Sequence, residues 1–134
     1  MIMQDVTLIT IICPLLSVVA GIWWGAHEAY YADRRLFEKI CEVDPLSFAG
    51  SQSWKRNYVD NDPAKAYKGV PNAHRDIKHA AAFLGRYGQF AALAASAWFQ
   101  DVLALAVCVF LYSMCANLTY KGLRKEAAPK NAES

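Results

Sequence analysis

The stretch VTLITIICPLLSVVAGIWWGA, Val6 to Ala26, places about twenty residues in a row without a single charge. Coiled as a helix at about 1.5 Å per residue, it is as long as a bilayer's hydrocarbon layer of about 30 Å is thick. A soluble core helix is rarely that long and that apolar, so a transmembrane helix is the expectation. Trp23 and Trp24 close the run, where aromatic rings favour the headgroup boundary. Pro14 lies near its middle and removes one backbone donor, which predicts a kink.

A second apolar block runs from Ala80 to Tyr120. Together the two blocks hold most of the apolar residues in a chain that is 55% hydrophobic, above the roughly 45–50% usual for soluble domains. Most of the 14 Lys and Arg residues lie between them. The pattern predicts an all-α membrane protein and a single membrane domain over 1–134. Its two transmembrane helices form an antiparallel hairpin, with long helix extensions outside the bilayer and an irregular polar loop. The first helix, 6–26 in the membrane, continues to about 43, because Tyr30, Phe37, Ile40 and Cys41 recur at helical spacing before Asp44-Pro45. A polar loop follows over 44–73, punctuated by Pro45, Gly50, Pro63, Gly69 and Pro71. One long helix over 74–120 carries the second span, and 121–134 is a flexible tail.

The second block is longer than one crossing requires, and Arg86, Gln89, Gln100 and Asp101 interrupt it. Either the span is Val102 to Tyr120, with Ala80 to Asp101 outside the bilayer, or it runs from Ala91 to Ser113 with Asp101 near mid-membrane. A third crossing requires a hairpin at Gln100-Asp101, and two residues are short for that turn, so two crossings are expected. Arg75, Asp76, His79, Arg86, Gln89, Ser96, Gln100 and Asp101 share one arc of the helix. Such a stripe turns toward a partner helix, a loop or water rather than lipid.

The first helix has a seam of its own, Ser17-x-x-x-Gly21-x-x-x-Gly25, and the second offers Gly85, Gly88, Ala92 and Ser96. Small residues let backbones approach closely and hydroxyls bond across. The two tracks are expected to face each other in an antiparallel pair. The four cysteines form no C-x-x-C pair, and three sit in apolar segments, so they read as small apolar residues rather than a disulfide or zinc framework. The apolar N-terminal run has no preceding Lys or Arg and is long for a secretory signal. Basic residues favour the loop over either terminus, which leans the loop toward the cytoplasm.

Three groups are candidates for chemistry. Asp101 beside Gln100 at membrane depth implies a proton or ion relay, or a charged bond to a partner subunit; at the interface it is a helix-end residue. His27, Glu28 and Asp33 with Asp76 and His79 are the candidate ligands of a divalent metal, if the end of the first helix meets the start of the second. Salt bridges to neighbouring Arg and Lys explain those charges more simply, and no cofactor is expected. Trp54, Lys55, Arg56 and Tyr58 form an aromatic and basic surface suited to anionic lipid headgroups. Nucleic acid is not expected. There is no phosphate loop, nucleophile elbow or dinucleotide fingerprint.

The run Ser53-Trp54-Lys55-Arg56-Asn57-Tyr58, followed by Asp62-Pro63, Arg75-Asp76 and His79, resembles a pattern in small bacterial and phage-associated two-helix membrane proteins. In those a Ser-Trp-Lys-x-x-Tyr loop separates two apolar segments. The resemblance covers about the middle third of the chain and is loose between Lys65 and His74. It implies the two-segment architecture and no particular activity. The expected function is therefore non-enzymatic: an accessory or structural subunit of a larger membrane assembly, with the bilayer and other subunits or further copies as partners. The alternatives are a metal-dependent membrane enzyme and a holin-like pore lined by Gln100 and Asp101.

Overall fold

The structure, a computed structural model, describes residues 2–62, 64–65, 75–98 and 102–128. It is all-helical: α1 (Ile2–Ala32), α2 (Leu36–Cys41), α3 (Ile77–Trp98) and α4 (Val102–Glu126), with two short 3-10 turns at Ser53–Asn57 and Val59–Asn61. Two segments are long and apolar enough to cross a membrane, Thr10–Ala32 and Val102–Glu126. Pro14 lies within α1, which stays helical on both sides of it.

The first helix does not run unbroken to residue 43. It ends at Ala32, and α2 begins after Asp33. The Asp33 carboxylate accepts the Arg35 N–H at 3.0 Å, and its carbonyl accepts the Leu36 N–H at 3.0 Å. This local side-chain bond competes with helical pairing and turns the chain. α2 then stops at Glu42, which takes the left-handed conformation (φ 51°) and returns its N–H to the Glu38 carbonyl.

The larger correction concerns 74–120, which is two helices rather than one. Ser96 Oγ lies 3.8 Å from Cys108 Sγ. Twelve residues along one helix would stand roughly 18 Å apart, so the chain reverses between them. α3 ends at Trp98 and α4 starts at Val102, leaving 99–101 between them. Three residues suffice, since antiparallel helices are joined by about two to five. Gln100 and Asp101 themselves lie outside the described residues, as does His74.

Close approaches at the glycines set the helix directions. A Cβ on Gly85 would stand 3.0 Å from Trp24, and one on Gly88 would stand 3.1 Å from the Ala20 Cβ. Ala92 packs with Cys13 and Cys108. α3 therefore runs antiparallel to α1. Gly21 meets Tyr112 and Cys115, and Gly25 meets Ala116 and Thr119, so α4 runs parallel to α1. The two candidate spans are thus parallel to each other, and the antiparallel partner of both is α3. Helix α1 is central, with α3 on one face and α4 on another. The end of α4 lies at the same end of the bundle as the polar loop, opposite the start of α1.

Among the described residues the bundle buries small side chains, Cys13, Ser17, Ala20, Ala29, Ala81, Ala92, Ser96, Ala104 and Cys108, with only Tyr30 and Leu36 as large apolar members. Large apolar side chains point outward instead, among them Phe90, Trp98, Val102, Leu103, Phe110 and Leu118. All four cysteines are free, with Cys13 and Cys108 buried and Cys41 exposed. The segment after Tyr120 is not all tail, since α4 continues to Glu126 with Arg124 and Lys125 in its last turn, where cations complement the helix dipole.

Candidate functional site

The polar residues gather at one end of the bundle, where residues 44–62 dock over the end of α1 and the start of α3. The docking begins with tight turns. Asp44 Oδ1 accepts the Leu46 N–H at 2.7 Å, and the Pro45 carbonyl accepts the Gln52 N–H at 2.9 Å. Gly50 sits so close that a Cβ would stand 2.2 Å from the Pro45 carbonyl oxygen. No other residue leaves that space open.

Four polar ties hold this cap down. The buried Tyr30 hydroxyl donates to the Gly50 carbonyl at 2.9 Å and lies 3.3 Å from Ser53 Oγ. Glu38 accepts the Ser51 N–H at 2.7 Å. Asp76, only 1% exposed, caps α3: its Oδ1 accepts the His79 N–H at 3.0 Å. Its Oδ2 accepts from Asn57 Nδ2 at 2.7 Å and faces His79 Nδ1 at 2.7 Å. The Phe48 carbonyl accepts the Ile77 N–H at 2.9 Å, which takes up another donor of the first helical turn.

A ladder of rings and cations joins α1 to α3 just below the cap. Trp24 stacks on His27 with centroids 5.0 Å apart, and His27 stacks on Tyr31 at 6.4 Å. The Arg86 guanidinium lies 5.1 Å from the Trp24 ring and Lys78 Nζ lies 5.4 Å from that of Tyr31. Cations at those distances are attracted to a ring face by about 0.5–2 kcal/mol each. Positions 24, 27 and 31 share one face of α1, so this end of the helix is clamped by two cations of α3.

The predicted metal ligands do not assemble into one site. Asp76 and His79 form a pair. His27 Nδ1 stands 3.4 Å from Glu28 Oε1, and Asp33 is ion-paired with Lys39. The Lys39 ammonium holds the Asp33 carboxyl below the ordinary carboxylate value, against a smaller opposing effect of burial. Among the described residues no group of three or more His, Cys, Asp or Glu is placed to hold a metal ion. Nor is any serine or cysteine there hydrogen-bonded to a histidine.

The aromatic and basic surface is present. Trp54 is partly exposed, edge-on to Tyr58 at 6.1 Å, with Lys55 Nζ 5.9 Å from its ring. The Arg56 carbonyl accepts from Arg75 at 3.0 Å. The small-residue tracks are real contact surfaces, but they do not meet each other as expected. Ser17, Gly21 and Gly25 belong to a buried strip whose two glycines face α4, while Gly85, Gly88 and Ala92 face α1. Ser96 donates to the Ala92 carbonyl at 2.9 Å and faces Cys108.

Sequence reasoning missed Tyr30, Gly50, Asn57 and Lys78 as parts of one structure. Only the Asp76-to-His79 spacing ahead of an apolar run carried a local signal, that of a helix start. Comparison with models of known protein families, with curated proteins and with solved structures returned no match.

Proposed function

We propose that this chain is a non-catalytic integral membrane protein that serves as an accessory or structural subunit of a larger membrane assembly. One observation carries the reading: of the two segments apolar enough to cross a membrane, the one with the higher mean hydropathy is also the less covered. Only 11% of the apolar window in Val102–Glu126 is buried, and Val102, Leu103, Phe110 and Leu118 stand outward. In water such a surface far exceeds what a monomer leaves exposed, whereas acyl chains or a neighbouring helix cover it without cost. Because α1 and α4 are parallel, a protein in which both cross must return through α3, which makes three crossings with the polar cap and the end of α4 on one side.

The subunit assignment is supported by α3. Level with Ala20, inside the Trp24 boundary, it carries Gln89 beside a groove of about 380 Å³ lined also by Trp24, Arg86, Phe90 and Tyr112. Polar side chains at that depth favour a protein neighbour over lipid. The test is carbonate extraction of membranes followed by crosslinking and native mass spectrometry in mild detergent. Retention in the membrane and a complex larger than one chain are expected. Release by carbonate overturns the membrane assignment, and a clean monomer without crosslinks overturns the subunit assignment.

A further inference from the structure

Under the cap lies a cleft of about 180 Å³ lined by Tyr30, Arg34, Ser51, Ser53, Trp54, Asp76 and Lys78. Its charges come from separate elements: Arg34 from the turn after α1, Lys78 from the first turn of α3. Neither forms an ion pair among the described residues. The acids nearby are already engaged. Asp76 is bonded by Asn57 and by both the backbone and ring of His79, and Glu38 holds the Ser51 N–H. The Tyr30 and Ser53 hydroxyl protons are taken by the Gly50 carbonyl and the Tyr30 oxygen, so two cations, the Ser51 hydroxyl and an indole surround an opening whose carboxylate, Asp76, faces its own donors. Donors of that kind recognise a phosphate oxygen through charge-assisted hydrogen bonds.

The position of the cleft identifies the source of the phosphate. Tyr30 lies six residues beyond Trp24, roughly 9 Å along the helix axis at 1.5 Å per residue. Headgroups occupy about 5–8 Å outside each face of the hydrocarbon layer. With Trp24 at the hydrocarbon edge, the cleft opens at the outer edge of the headgroup layer, and Trp54, 39% exposed, stands at its rim.

We infer that this cleft binds the phosphodiester of an anionic phospholipid, held between Arg34 and Lys78 with the Ser51 hydroxyl beside it. A zwitterionic choline headgroup brings its own cation against the same two side chains and fits less well. The inference rests on the membrane placement proposed above, but it is tested separately, on protein already shown to resist carbonate extraction.

The experiment is native mass spectrometry of the full chain released from detergent with phosphatidylglycerol or phosphatidylcholine added in equal amounts. A phosphatidylglycerol preference is expected, and Arg34→Gln/Lys78→Gln should weaken it by about tenfold, the loss of one to two charge-assisted bonds. The control is Lys121→Gln/Lys125→Gln, which removes equal charge from the exposed end of α4 and should change it less than about twofold. Circular dichroism confirms that both variants keep their helices. Equal loss in the two variants would mean general surface attraction and would overturn the site, as would binding without headgroup preference. Displacement of the lipid by an equal concentration of inorganic phosphate would overturn the lipid as its source.

Discussion

Replacing Asp76 by alanine should open the polar cap while leaving the helices in place. The carboxylate serves three donors at once: the His79 N–H, His79 Nδ1 and Asn57 Nδ2. Loss of an N-cap costs about 1 kcal/mol. Asn57 is only 6% exposed, and an amide donor left without its acceptor there costs about 1–3 kcal/mol more. The alanine also removes the burden of a buried charge, which offsets part of this, so the net weakening is about 2 kcal/mol. That free energy bears on the opening of residues 44–62 rather than on the bundle, whose helix contacts lie elsewhere. Trypsin cleavage after Lys55 or Arg56 reports this opening directly. Where reclosing outpaces cutting, the rate follows the open population, so about 2 kcal/mol becomes a roughly thirtyfold faster cut. Asp76→Asn retains a capping oxygen and should fall between the two. If Asp76→Ala is cut at the wild-type rate, or if the wild-type loop is cut as fast as an unfolded peptide, the docking described for Asp76 and Asn57 is wrong.

Other perturbations separate the remaining contacts. Gly25→Val puts a side chain where a Cβ alone would stand 2.3 Å from the Ala116 carbonyl oxygen, so thermal unfolding in detergent should occur at lower temperature, by more than the ~1–3 kcal/mol of ordinary overpacking. Gly122→Val, where nothing lies within 4 Å, should leave the midpoint unchanged. Because Lys39 depresses the Asp33 carboxyl, that pair stabilises the turn into α2 above the ordinary carboxylate pKa and stops doing so as pH falls through the lowered folded value. Protection of the 36–41 amides, taken relative to their intrinsic exchange rate at each pH, should therefore fall on acidification, by less than ~1 kcal/mol for so exposed a pair, and Asp33→Asn should abolish that change in protection. A membrane-impermeant maleimide should label Cys41 and a cysteine placed at Ala128 from the same side in sealed vesicles, and labelling from opposite sides would rule out parallel α1 and α4.

How far the chain can be read in advance depends on the range over which each determinant acts. Apolar length is local, so both candidate spans were visible as runs of composition, whereas the expectation of one helix over 74–120 set Asp76 inside it and missed its place ahead of Ile77. Gln100 and Asp101 were visible as a polar interruption of an apolar run, but whether such a run is one helix or two depends on where its two halves find contacts. Here Ser96 and Cys108 close against each other, and Ala92 reaches Cys13, so reversal gains packing that a straight helix would forgo. The tie from Tyr30 to Gly50 spans twenty residues and had no periodic trace at all. The glycine seams show why composition misassigns partners. A small residue marks a face that can be approached closely, not the helix that approaches it, and Gly21 and Gly85 carry the same signal. What distinguishes them is that α1 has two neighbours. A central helix is apolar on every side, so its faces differ only in side-chain size: Gly21 and Gly25 admit the carbonyls of α4, while Ala20 and Trp24 fill against the glycines of α3. That complementarity of size, glycine against backbone on one face and glycine against side chain on the other, sets which helix lies where.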